Sequence, residues 1–274
     1  MARSAVQIID GQVVKALKTW NLVQKGDRIL LGASGGKDSA VLAHDLARKR
    51  RQGRLEAELC AVHIRNDFSP HALSARLAEC YQEWGIPLVT IDLAVSGRLQ
   101  PGRSLNCYWC STQRRTELIR YALSNGFNSL ALGHHLDDVL ETLFMNMLRK
   151  GQLSTMPPLL KYHKYPLQVI RPLYLLEEAA IIAGARELGL IQGDEPFKLG
   201  PTQVQASLNA GINAGGGGAD QPALELFTTC TCGYNDHSER DRIRQRIDAF
   251  VSGLPGAKLN LLASLHDIRP EYLP

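Results

Sequence analysis

The sequence predicts an α/β protein built on a doubly wound, parallel, five-stranded sheet, with a C-terminal helical and irregular extension. Short apolar runs alternate with helical segments, and the first run ends on Ser34-Gly35-Gly36-Lys37-Asp38-Ser39, a glycine turn opening a helix-like stretch. Such alternation calls for parallel strands covered on both faces. A chain of 274 residues with 45% apolar content can bury a core of that kind.

Taken in order, Val6, Ile9, Val13, Leu17 and Trp20 recur at steps of three or four, with Val14 beside them, so residues 5–22 read as an amphipathic helix against the first strand. Strand one is 28–33 and its helix 38–52. Leu59-Cys60-Ala61-Val62-His63-Ile64 is the second strand, followed by a helix over about 70–84. Leu88-Val89-Thr90-Ile91 is the third, and a helix from Arg114 to Ser124 leads to the fourth, Ser129-Leu130-Ala131-Leu132. A helix from Asp137 to about Arg149, a turn at Pro157-Pro158, the strand Leu167-Gln168-Val169-Ile170 and a helix from near Leu176 complete the unit.

Residues 1–192 are therefore the expected α/β domain, with its N-terminal helix. Over 193–229 apolar periodicity fails and Gly215 to Gly218 are four consecutive glycines, which reads as a flexible insertion. Residues 230–274 form an extension that carries Cys230, Cys232 and a charged helix over 237–251. No apolar run approaches the ~20 residues that span a bilayer, and Met1-Ala2-Arg3-Ser4 leads into no hydrophobic signal core. The expectation is a cytoplasmic protein without membrane contact.

Net charge is a mild +4, but the basic residues cluster. Arg48-Lys49-Arg50-Arg51 with Arg54, Arg114-Arg115 with Arg120, and Arg240, Arg242, Arg244 and Arg246 are arrangements that suit a polyanion. Each cluster also reads as a solvated helix face, and Glu239, Asp241 and Asp248 partly neutralise the last one.

Two adjacent glycines let backbone amides approach an anion, and the positive end of the following helix adds to the attraction. The spacing matches neither the Walker loop nor the Gly-x-Gly-x-x-Gly dinucleotide turn. A second motif, Gly133-His134-His135-Leu136-Asp137-Asp138, puts two carboxylates at the start of a helix after strand four. In a doubly wound sheet both motifs face one cleft at the carboxyl ends of the strands. Mg²⁺ prefers carboxylate and phosphate oxygens together, which gives Asp137 or Asp138 a place beside a nucleotide; an acidic cap on the helix dipole is the simpler alternative.

Four of the six cysteines fall in two tight pairs, Cys107-Tyr108-Trp109-Cys110 and Cys230-Thr231-Cys232. Pairs spaced like this serve a structural zinc site, a redox pair or an iron-sulfur cluster. A working cluster would use three thiolates and leave one iron open. Cys60 and Cys80 fall in a strand and a helix and receive no role.

The hexapeptide at 34–39 resembles the PP-loop of ATP pyrophosphatases, which split ATP between its α and β phosphates. The further succession of Cys107-x-x-Cys110 with Arg114-Arg115, Gly133-His134-His135 with Asp137-Asp138, Met156-Pro157-Pro158, Ile170-Arg171-Pro172-Leu173 and Cys232-Gly233 resembles the tRNA 2-thiocytidine synthetase family. That resemblance covers roughly residues 5–192 and 230–250. It implies ATP, Mg²⁺ and a [4Fe-4S] cluster as cofactors, with zinc as the alternative metal, and adenylation of a cytidine C2 oxygen in the anticodon loop followed by sulfur transfer.

Carried over by position, Ala33, Ser34, Gly35, Gly36, Lys37, Asp38, Ser39, Gly133 and His134 bind ATP, and Lys37, Asp38, Arg114, Asp137 and Asp138 form the catalytic centre. The implied metal ligands are Cys107, Cys110 and Cys232, with Cys230 as the alternative third. Arg48, Lys49, Arg50, Arg51, Arg115 and Arg171, together with the arginines of 240–246, are the expected RNA contacts; Tyr108 and Trp109 either stack on an unstacked base or shield the cluster. The implied partners are tRNA and a sulfur donor such as a cysteine desulfurase, and a homodimer is an open assembly. The chain departs from the family in its Cys-x-Cys late pair, its glycine-rich insertion and its short tail. Its rivals in function are a zinc-holding PP-loop enzyme acting on another tRNA nucleotide or small substrate, a nucleotide- or redox-sensing module, and an RNA-binding protein with a decayed site.

Overall fold

The computed structural model describes residues 3–67, 73–99, 102, 106–191, 237–269 and 271, with side chains from 240 onward in the last helical region. The insertion at 193–229 and the late pair Cys230 and Cys232 lie outside the described residues. The helices are α1 (Ala5–Thr19), α2 (Lys37–Arg51), α3 (Ala75–Glu83), α4 (Cys107–Ser124), α5 (Leu136–Lys150), α6 (Glu178–Glu187), α7 (His237–Val251) and α8 (Ala257–Ala263). The strands are β1 (Asp27–Gly32), β2 (Ala57–Asn66), β3 (Leu88–Leu93), β4 (Ser129–Ala131), β5 (Leu159–Lys161) and β6 (Gln168–Ile170).

They form a six-stranded sheet in the order β3-β2-β1-β4-β6-β5. The five strands expected from sequence are present and all pair in parallel. The sixth, β5, corrects the expected count: it pairs antiparallel at the edge, Leu159 opposite Ile170 and Lys161 opposite Gln168. Three residues behind a Pro-Pro turn are too few to show the alternation that marks a strand.

The winding reverses between β1 and β4. After β3 the chain crosses back to lay β4 on the free side of β1, so the carboxyl ends of these two strands flank the crevice where such folds bind ligands. Ile29 and Leu31 face one apolar layer, beneath α1, α2 and α6, while Leu30 faces the other, beneath α4. Ser4 caps α1, accepting from the Gln7 amide at 3.2 Å, and the buried Ile9, Val13 and Ala16 seat that helix against α6.

α7 and α8 pack on α5. Ile243, Ile247 and Leu262 join Leu136, Val139, Leu140, Leu143 and Tyr174 in a third apolar cluster. The C-terminal helices are thereby laid over the helix that begins at the second sequence motif. Among the described residues no helix is long and apolar enough to cross a membrane.

Candidate active site

The turn after β1 is folded around two serines. Gly35 has φ +86°, a backbone region open to glycine, and Gly36 starts α2 with no side chain bonded across the helix end. Ser34 Oγ accepts from the Gly36 amide at 3.3 Å and lies 3.1 Å from Ser39 Oγ, which donates to the Gly36 carbonyl at 2.9 Å. The loop is braced from within while the first turn of α2 points into the crevice. Ala33, just before it, is buried, its amide donating to Val62 O at 2.9 Å.

The turn after β4 touches this loop through its backbone. A Cβ built on Gly133 would lie 3.0 Å from both the Asp38 carbonyl carbon and the Ser39 nitrogen, so any side chain there would force the two turns apart. His135 then starts α5, its amide donating to Asp138 Oδ2 at 3.1 Å.

Titratable groups converge on this contact. Lys37, only 4% exposed, lies 2.7 Å from Glu178 Oε1 and 3.2 Å from Asp38 Oδ1. Burial pulls its pKa down, but the charges of Asp38 and Glu178 outweigh that and raise it. Asp38 Oδ1 faces the Lys37 ammonium without a well-aligned hydrogen bond, and desolvation raises the Asp38 carboxyl against the opposing charges of Lys37 and His135. His135 lies 3.4 Å from both Asp137 and Asp138 and 3.9 Å from Asp38. Burial alone would lower its pKa; contact with Asp137 and the charges of Asp138 and Asp38 raise it instead.

The two aspartates differ. Both oxygens of Asp137 are committed, Oδ2 to the Glu178 amide and Oδ1 to Lys258 Nζ, each at 2.7 Å. Burial opposes its ionisation, but His135, Lys258 and the Glu178 amide hold the carboxyl well below the usual range. Asp138 is also held low: burial is outweighed by the charges of His135 and His134 and by the His135 amide. His134 is pushed down to about 4, chiefly by burial and further by Arg171, Arg240 and Arg115 against Asp138, so it is neutral at pH 7.

Arg171 follows β6 and is 5% exposed. Its Nη1 donates to Pro157 O at 2.5 Å, its Nε has no acceptor, and burial together with the nearby Arg115 charge pushes its pKa down to about 10. α4 starts seven residues earlier than the apolar pattern indicates, because Asn106 caps it by accepting from the Trp109 amide at 2.8 Å. Cys107 and Cys110 therefore sit one above the other on its first turn, exposed and half-buried respectively. A helix linking parallel strands starts at the carboxyl edge of the sheet, so both lie on the same edge as the two turns. Tyr108 is 81% exposed, whereas Trp109 packs against the apolar layer beneath α4. Arg114 lies one turn further along α4, half-buried, and Arg115 is exposed.

The basic run at 48–51 lies at the other end of α2 from the crevice, and its Lys49 is buried. It closes α2, about 20 Å along the helix from the glycine turn at 1.5 Å per residue. Lys49 is 1% exposed and lies 2.6 Å from both Asp10 and Asp45. Arg48 pairs with Asp10 at 2.7 Å, Arg50 donates to the Gly85 carbonyl at 2.7 Å, and Arg51 reaches toward Glu83 O. These groups tie α2 to α1 and α3 and complement the negative end of the helix dipole.

Three side chains of the site carry no motif. Glu178 bridges Lys37 and Arg244, the latter at 2.9 Å. Arg244 lies 2.5 Å from Glu141, which is 1% exposed, and Arg240 lies 3.5 Å from it. Lys258 joins Asp137 to Asp248, the latter at 2.8 Å. The available signal was spacing: Arg240 and Arg244 alternate with the buried Ile243 and Ile247 at steps of three and four, which puts them on the side of α7 that flanks α5.

A family model described as the PP-loop domain matches residues 7–191. A tRNA-cytidine(32) 2-sulfurtransferase of Syntrophotalea carbinolica is 32% identical over 267 residues, which are 94% of this chain and 88% of that protein. The chain belongs to the tRNA 2-thiocytidine synthetase family of PP-loop enzymes. A second member, from Legionella pneumophila, is 30% identical across 94% of this chain and 80% of its own length. The U34-tRNA thiolase NcsA from Methanococcus maripaludis, whose structure holds a [4Fe-4S] cluster, shares the fold with a TM-score of 0.68 at 20% identity, covering 97% of this chain and 81% of that one. The family's motif residues from Ala33 to Ser39 and from Gly133 to Asp138 are those that meet at the crevice.

Two outcomes follow for these side chains. Lys49→Met should lower the unfolding free energy in urea by about 3 kcal/mol, the scale for stranding a buried partner, while tRNA affinity in a filter-binding assay stays at the wild-type value; weakened tRNA binding at unchanged stability would restore the basic run as a contact. His135 has a raised folded pKa, so its stabilisation is complete below its ordinary value of about 6.5 and is lost as pH rises through the folded value. The stability advantage of wild type over His135→Gln should thus be larger at pH 6 than at pH 9, and an equal advantage at both would contradict the charge arrangement.

Proposed function

We propose that this chain adenylates the C2 oxygen of a cytidine in a tRNA anticodon loop and replaces that oxygen with sulfur. The observation that carries the reading is the backbone contact of the two motif turns, which sets an uncapped helix start, a buried lysine and the Asp38 carboxylate at one point. Family membership supplies the substrate class.

A pyrimidine C2 carbonyl is a weak electrophile with a poor leaving group. In the first step its oxygen attacks the α phosphorus of ATP, the bond to the β phosphate breaks, and pyrophosphate leaves. The amides at the start of α2 and the Lys37 ammonium hold the polyphosphate, so that positioning and fixed charge carry the step. The donor set fits Mg²⁺, which takes one or two carboxylates plus phosphate oxygens: Asp38 offers a partly exposed carboxylate beside Lys37, with Asp138 one contact away across His135. Asp137 is excluded from that role in this arrangement by its two committed oxygens. Neutral His134 and the half-satisfied Arg171 form the polar wall beside it.

In the second step sulfide adds to C2 and AMP leaves with the original oxygen. Cys107 and Cys110 would hold a [4Fe-4S] cluster with Cys232 or Cys230 as third ligand; the helix start that carries them favours thiolates, which fits this role. When bound, that cluster supplies the transferable sulfide at an iron without a protein ligand, replenished by a sulfur donor such as a cysteine desulfurase. Exposed Tyr108 would stack on the unstacked base and Trp109 would keep water from the cluster.

Asp38→Ala should abolish tRNA-dependent release of pyrophosphate from ATP with the fold retained by circular dichroism; undiminished release would remove Asp38 from the chemistry. Anaerobic purification should yield brown protein with about four irons per chain, and Cys107→Ala should lose both colour and iron. Colourless protein holding stoichiometric zinc would overturn the cluster assignment.

A further inference from the structure

Five carboxylates crowd the crevice: Asp38, Asp137, Asp138, Glu141 and Glu178. Within the sheet unit their ion-pair partners are Lys37 and His135. Arg171 adds its charge near Asp138, with Arg115 beside it, and the carboxylates still outnumber the cations paired with them inside the sheet unit among the described residues. The remaining partners come from the C-terminal helices: Arg244 on Glu141 and Glu178, Arg240 on Glu141, and Lys258 on Asp137.

We propose that Arg244 and Lys258 are positioning residues of the nucleotide site, by which α7 and α8 supply the positive charge that lets this acid-lined crevice hold the polyphosphate of ATP. The inference rests on the ATP-dependent reading above and adds to it a role for the C-terminal helices. Glu178 holds Lys37 through Oε1 and Arg244 through Oε2. While Arg244 shares that carboxylate, Lys37 is held less tightly and can turn to a phosphate. Without Arg244 the full charge of Glu178 falls on Lys37 and competes with the nucleotide. Lys258 does the same for Asp137, sharing that carboxylate with His135, which also faces Asp38 and Asp138 across the crevice.

The role is tested by calorimetric titration of ATP with Mg²⁺ into full-length protein without tRNA, followed by steady-state kinetics with tRNA. Arg244→Met and Lys258→Met should each weaken ATP binding about tenfold, equivalent to ~1.4 kcal/mol, raising KM for ATP far more than they lower kcat. Arg244→Lys should recover most of the affinity. Arg269→Gln, which removes an exposed charge paired with Asp267 at 3.8 Å, should bind ATP as wild type does.

The decisive variant is Arg244→Met combined with Glu178→Gln. Freeing Lys37 from an unshared carboxylate should restore ATP affinity, whereas a loss that came from undocked helices would persist. If Arg244→Met leaves Glu141 stranded and lowers Tm, adding Glu141→Gln should recover Tm but not ATP affinity. Wild-type affinity in folded Arg244→Met and Lys258→Met, or a loss that Glu178→Gln does not relieve, would overturn this inference alone. A wild-type chain that binds no ATP would overturn the functional reading, and this inference with it.

Discussion

Two turns from distant parts of the chain meet backbone to backbone, and they can because residue 133 has no side chain. Gly133 lies against the peptide joining Asp38 to Ser39, and the placement of the charged groups on the two turns follows from that approach. The sheet topology makes the meeting possible by setting β4 beside β1, so that both turns leave from neighbouring carboxyl ends. Close packing does the rest, bringing Lys37 and Asp38 from one turn within reach of His135 and Asp138 from the other.

Once the turns are joined, the electrostatics are those of an over-acidic pocket with its cations distributed by role. Asp137 is an anchor: it holds the Glu178 amide and Lys258 and so ties α5 to α6 and α8. Asp38 is the opposite, a carboxylate open to the crevice, its side chain 30% exposed and paired with the Lys37 ammonium at 3.2 Å. A carboxylate whose oxygens are not both committed to the protein can take a ligand cation. Burial lowers His134 and Arg171, while the aspartates around His135 outweigh burial there and raise it.

Much of this was legible in the sequence, for reasons that differ from residue to residue. The five parallel strands announced themselves because central strands covered on both faces are nearly unbroken apolar runs. The glycine turn and the Gly-His-His-Leu-Asp-Asp segment were legible because each sits at a strand-to-helix junction, where an anion site has a mechanism. The edge strand Leu159–Lys161 was too short to carry a period. Lys49 misled because charge in a sequence says nothing of burial; its ammonium is enclosed by Asp10 from α1 and Asp45 one turn back. Glu178, Arg244 and Lys258 were invisible as a set because their relation is made only by packing α5, α6, α7 and α8 together. Arg240 and Arg244 alone left a trace, their four-residue spacing interleaved with Ile243 and Ile247.

The central claim is that the crevice activates a tRNA carbonyl for sulfur. Mass spectrometry of nucleosides from total tRNA, taken from cells with the gene deleted and again with it restored, tests that claim most directly. The account predicts that 2-thiocytidine disappears with the gene and returns with it. An identical nucleoside profile in both strains, with 2-thiocytidine present or absent in each alike, would contradict it.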